Sequence, residues 1–112
     1  IEVPAKEIKR YSRKIVDYVS GVEDLSKQLG NEIIDRYKSK EIKMDLEADK
    51  IFRELNKTIG TLEKVHGTKD SIENYLYELD RLFIGLLNWS KKKRIDTESY
   101  EERFNELSDK LY

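Results

Sequence analysis

Apolar residues recur at helical spacing along almost the whole chain. Ile8, Tyr11, Ile15, Tyr18, Val22, Leu25 and Leu29 follow one another by alternating steps of three and four, which sets them in one seam of an amphipathic helix. Pro4 suits the first turn of that helix and Gly30 the position just past its end. The pattern therefore predicts a first helix over about 4–29, with Gly21 a weak point worth about 1 kcal/mol against alanine. Past Asn31 the periodicity resumes at Ile33, Ile34 and Tyr37, thins across Lys38-Ser-Lys-Glu-Ile-Lys43, and returns at Met44, Ala48, Ile51, Phe52, Leu55, Ile59 and Leu62. This predicts a second helix over about 31–66, about 54 Å long if unbroken, so a bend or break is expected near Ser39.

Asp70-Ser-Ile-Glu73 has the spacing of a capping box and opens a third helix over about 71–92, carrying Ile72, Tyr75, Leu76, Leu79, Leu82, Phe83, Leu86 and Leu87. Its apolar stripe is wide, with Ile84 and Trp89 read as lying off it, so this helix is expected to be the most enclosed element, and Gly85 is expected to allow a close helix crossing. Tyr100, Phe104, Leu107 and Leu111 define a fourth helix over about 97–111, with Asp96 as its cap and Ile95 packing back on Tyr100. No segment alternates with period two. The expected fold is all-α: a single domain over 1–112, an antiparallel bundle of four main helices, the second long and bent or broken near Ser39.

Composition sharpens this picture. The chain has 112 residues, 40% charged and 38% apolar, so nearly every apolar side chain must face inward, which strongly amphipathic helices achieve. With no cysteine, disulfides, thiolate metal sites and cysteine nucleophiles are excluded, and a cytoplasmic setting is expected. No apolar run approaches the ~20 residues that span a bilayer, and no membrane association is expected. The abundance of Lys, Glu, Ile and Tyr is compatible with a thermophile or an AT-rich genome. The sequence opens on Ile1, which fits a piece of a longer chain as well as a whole one.

Little in the sequence points to catalysis. The sole histidine, His66, sits beside Gly67 at an inferred helix end, where it complements the C-terminal dipole, and the five glycines are isolated, so there is no phosphate-cradling loop. Glu63-Lys-Val-His66 has the Glu-x-x-His spacing of di-iron bundles, but a second histidine is missing unless a homodimer supplies it. Glu41, Asp45 and Asp49, four apart, would line one helix face and offer oxygen ligands to a hard cation; the same face continues to Arg53 and Lys57, which makes it a solvated ion-paired stripe. No cofactor, bound metal or small-molecule substrate is inferred.

The segment Lys40-Glu-Ile-Lys-Met-Asp-Leu-Glu-Ala-Asp-Lys-Ile-Phe-Arg-Glu-Leu55, with Asp70 and Leu79-Asp80 after it, resembles the acidic Glu-x-x-Asp region and following helix of PhoU-like phosphate-uptake regulators. The resemblance covers roughly residues 40–80 and implies a helical bundle with metal-holding carboxylates and a regulatory role. Arg81 stands where a second acid would be expected, and the chain has room for one of that family's two three-helix units.

Charge is unevenly spread. Residues 1–14 carry five basic side chains and two acidic ones, and Lys91, Lys92, Lys93 and Arg94 form a run, whereas 17–35, 70–80 and 96–112 each sum to −4. The run fits a helix end, where cations complement free carbonyls. If it meets the segment 6–14, the two form a basic patch with Tyr11 and Trp89 as stacking residues, suited to nucleic-acid phosphates. The leading expectation is a non-enzymatic interaction module, an accessory subunit or adaptor whose partner is another protein or a second copy. Tyr11, Tyr18, Tyr37, Tyr77 and Trp89 are its candidate anchors.

Overall fold

A computed structural model of the chain describes residues 5–43, 45–64 and 69–111, with side chains described over 13–43, 45–62 and 72–111. Four helices follow in order: α1 (Ala5–Lys38), α2 (Leu46–Lys64), α3 (Lys69–Lys92) and α4 (Glu98–Leu111). No strand occurs among the described residues.

The first helix runs past its expected end. Gly30 does not terminate it, because the step from Leu29 to Ile33 continues the seam that begins upstream, and Ile33 is fully buried. None of the described glycines has a positive φ. Residues 31–38 therefore belong to α1, and the break expected near Ser39 divides α1 from α2. There Lys40 takes the left-handed conformation, φ 64°. The Glu41 amide donates to the Arg36 carbonyl at 2.9 Å and the Lys40 amide to the Tyr37 carbonyl at 3.0 Å, the paired bonds of a Schellman stop. An Arg36–Glu41 ion pair of 3.4 Å spans the same turn.

The α3–α4 junction repeats the device. Arg94, φ 62°, is the left-handed residue, with the Ile95 amide bonded to the Ser90 carbonyl and the Arg94 amide to that of Lys91, both at 3.0 Å. Buried Ile95 closes the turn over the core. Thr97 supplies the first carbonyl of α4, accepting from Glu101 at 2.9 Å. Asp96 caps from one position further out, accepting from the Glu98 amide at 3.0 Å. The capping box proposed for α3 lies outside the described side chains.

Side-chain pairs fix the helix directions. Tyr100 donates to Glu32 at 2.9 Å, Arg103 to Gln28 at 2.8 Å, and Leu107 lies against Gly21. Numbers rise along α4 as they fall along α1, so this pair is antiparallel. Trp89, near the end of α3, reaches Asp45 before α2, and Tyr18 of α1 donates to Asp80 of α3. The bundle runs up, down, up, down. Its core joins Val22, Leu25, Leu29 and Ile33 to Leu55, Leu76, Leu79, Phe83, Leu86 and Phe104, with the Phe83 and Phe104 rings 4.9 Å apart. The broadest seams are α2–α3 and α1–α4; α1 and α2 meet far less closely.

The glycines correct a second expectation. Gly85 faces open space and mediates no crossing. Close approaches occur instead at Gly21, where a Cβ would lie 2.6 Å from Leu107 Cδ2, and at Gly30, where it would lie 3.3 Å from the Phe52 ring.

Candidate interaction surface

Of the residues singled out as a surface site, Trp89 is the clearest departure. It is 1% exposed, so its ring offers no face for stacking a base or anchoring a partner. Its Nε1 donates to Asp45 Oδ1 and Oδ2 at 3.1 and 3.2 Å, and Lys93 Nζ sits 5.5 Å from the ring centroid and 3.5 Å from Asp45 Oδ2. Asp45 also caps α2, accepting from the Ala48 amide at 2.9 Å. The Ala48 amide, then the Trp89 indole, and also Lys93 hold the Asp45 carboxyl below its ordinary pKa. This constellation ties the start of α2 to the end of α3.

The rest of the basic run has divided roles. Lys91 pairs with Glu101 of α4, Lys93 is engaged as above, and Lys92 and Arg94 are exposed. Tyr11 lies on α1, but its side chain is outside the described residues. The segments 6–14 and 91–94 do not meet. Tyr100, at the beginning of α4, sits beside Glu32, so the run lies beyond that level, whereas Lys14 is about 27 Å back along α1 at 1.5 Å per residue. The two basic segments occupy opposite ends of the bundle.

The candidate metal face is also dispersed. Glu41 is outside any helix and pairs with Arg36, Asp45 is the cap of α2, and Asp49 pairs with Arg53 at 3.0 Å. Among the described residues, no three histidine, aspartate or glutamate side chains are grouped to hold a metal ion. Glu63-x-x-His66 lies outside the described side chains. Among the described residues no helix is long and apolar enough to cross a membrane.

What the structure leaves open is the seam between α1 and α2, a groove of about 380 Å³. On α1 it is lined by Glu23, Ser26, Lys27, Gly30, Asn31 and Ile34, and on α2 by Phe52, Leu55, Asn56, Ile59 and Gly60. Gly60 and Ser26 keep it wide because they project little or nothing into it, whereas at buried Gly30 the Phe52 ring comes close. Ile34 at its edge is 44% exposed, and Val16 and Tyr37 are exposed on the same helix. Ser26 Oγ is shielded from solvent and makes no hydrogen bond within the described structure, a state that costs about 1–3 kcal/mol when a polar atom is left unsatisfied.

Sequence reasoning missed this groove while quoting its residues. Ile34 and Tyr37 lie off the α1 seam, and once α1 is seen to continue through Gly30 they fall on its flank. Tyr37 and Tyr77 remain exposed aromatics, whereas Tyr18 is buried. Comparison with protein-family models, with curated proteins and with solved structures gave no significant match.

Proposed function

We propose that the chain is a non-enzymatic interaction module of the cytoplasm, an accessory subunit or adaptor that engages a protein through the α1–α2 groove. The observation that carries this reading is the open seam itself. The α1–α4 seam is closed by side chains, while the α1–α2 seam keeps Ile34 at its rim and Ser26 Oγ without a partner. Grooves of this form take an amphipathic helix, with apolar anchors at i, i+3 or i+4 and i+7. The absence of cysteine fits a reducing compartment. A nucleic-acid reading draws no support from basic segments held at opposite ends of the bundle.

In-cell photocrosslinking tests the proposal. A photoreactive amino acid at position 34, on the groove, is compared with one at position 102, on exposed α4. The proposal expects discrete adducts from position 34 and none from position 102. Equal adducts from both positions, or none from position 34, would count against it.

A further inference from the structure

The basic run 91–94 does not meet segment 6–14, but the fold sets it beside a different group of cations. Because the helices run up, down, up, down, the α1–α2 and α3–α4 turns lie at the same end of the bundle, and the bonds from Trp89 and Lys93 to Asp45 join them. Residues 36–47 and 91–98 together carry eight basic and five acidic side chains, a net +3 in a chain of net −1. Lys38, Lys40, Lys43, Lys92 and Arg94 are all exposed, and among the described residues none of their side chains is in an ion pair or hydrogen bond. None of the five lines the α1–α2 groove. Each acid at this end has its own counterpart. Glu41 is met by Arg36, Asp45 by Lys93 and Asp96 by the Glu98 amide, while Glu47 and Glu98 stand in the first turns of α2 and α4, whose dipoles offset them.

Two of the free cations carry a second observation. Lys40 and Arg94 are the left-handed residues of the two stops, the two non-glycine residues with positive φ among the described ones. Helix dipoles account for Lys38 and Lys92, in the last turns of α1 and α3. A left-handed stop needs no cation, and glycine forms it with less strain than any side chain. What the strained residue supplies at each turn is a long cationic side chain beyond the helix end.

We infer that this end of the bundle binds the phosphate backbone of a nucleic-acid duplex without reading its sequence. Cations with no partner inside the protein neutralise phosphates and release counterions, and the contact needs no apolar area. A protein partner fits this surface less well, since interface cores are poor in lysine. A membrane fits less well too, because Leu46, the most exposed aliphatic side chain described here, stands between Asp45 and Glu47, which anionic headgroups repel. A single strand calls for stacking faces, and at this end Trp89 is buried and only Tyr37 is an exposed aromatic. The surface adds a contact to the groove proposed above and does not depend on it.

Fluorescence anisotropy of a short labelled DNA duplex, titrated with the full chain at several low salt concentrations, tests this. The parent is expected to bind with log affinity falling against log salt at a slope of about −4, the value for four or five neutralised phosphates. Lys40→Gly combined with Arg94→Gly removes two cations together with the strained side chains. Its melting temperature should be no lower than the parent's, while its salt slope is shallower by about 2 and its low-salt affinity about tenfold weaker. Lys43→Ser combined with Lys92→Ser, at exposed positions outside the left-handed sites, should weaken binding to a similar extent. Lys57→Ser combined with Lys110→Ser removes two exposed cations at least eleven residues down α2 and α4 from this end, and should change affinity no more than about twofold. No binding at the lowest salt, affinity indifferent to salt, or an equal loss in all three double variants would overturn the assignment. Phosphatidylserine vesicles that hold the protein more tightly than the duplex would overturn it in favour of a membrane. Crosslinks from position 34 read the groove alone, so failure at the bundle end leaves the interaction module standing.

Discussion

On one side of α1, Leu107 of α4 closes over Gly21, Phe104 packs between Tyr18 and Phe83, and Tyr100 and Arg103 bond to Glu32 and Gln28. On the other side, Gly30 approaches Phe52 and the seam otherwise stays open. Both sides contain a glycine in mid-helix, yet one glycine admits a leucine and closes an interface while the other helps to line a groove. A missing Cβ permits close approach; whether the approach completes the fold depends on what the neighbouring helix supplies. Helix α4 supplies a phenylalanine, a leucine and two long polar side chains. Helix α2 supplies asparagine and glycine on the same side as Phe52.

The comparison can be broken most forcefully at Phe104. Truncation by Phe104→Ala should cost about 3 kcal/mol or more, whereas Phe52→Ala on the open side should cost less, about 2 kcal/mol, because Phe52 is only partly buried. Urea denaturation of the two variants checks the difference. Equal losses would mean that the two seams contribute alike.

The glycines sharpen the contrast at finer scale. Gly21→Ala gains helix propensity but drives a methyl into Leu107, for a net loss of about 1 kcal/mol. Gly30→Ala gains helix propensity but presses on the partly buried Phe52 ring and should be near neutral, and Gly85→Ala, facing open space, should stabilise by about 1 kcal/mol. Thermal melts of the three should therefore move down, hardly at all, and up.

The open seam depends on α2 being held by α3 instead of by α1, and Asp45 is central to that hold. Its folded pKa is lowered, so its contribution is fully present above the unfolded value of about 3.9 and is lost as pH falls through the lower folded value. Trp89, the sole tryptophan, reports the release. Acid titration of its fluorescence should show a transition below about pH 4 that Asp45→Asn removes, and a profile unchanged by that substitution would deny the link. The smallest expected effect is at the left-handed stops. Arg94→Gly relieves a conformation that costs a side chain about 1 kcal/mol or more, partly offset by glycine's freedom in the unfolded chain, and should raise stability by about 0.5 kcal/mol.

Helix periodicity made the four-helix fold legible from sequence, because Ile15 through Leu29 and Leu76 through Leu87 keep one face apolar over several turns. The α1 boundary was not legible, since Gly30 looks the same whether it ends a helix or lets Phe52 approach; only the step from Leu29 to Ile33 distinguishes the two. Both true stops, near Ser39 and at 92, showed where the apolar periodicity lapses, but the left-handed residues that make them did not, because Lys40 and Arg94 stand where glycine is the usual signal. Trp89 was misplaced for a related reason. It stands seven residues past Leu82 and three past Leu86, at the edge of the α3 stripe and buried with it, and nothing local to it reveals that Asp45 stands ready to accept its indole proton. The groove is a relation between α1 and α2, so its residues could be named in sequence but not assembled.

Thiol labelling of single-cysteine variants, in a chain that has no cysteine of its own, tests the central claim most directly. The account predicts that Ile34→Cys, on the open seam, reacts at nearly the rate of an unfolded thiol, while Phe104→Cys, on the closed seam, is strongly protected. Equal rates at the two positions would contradict it.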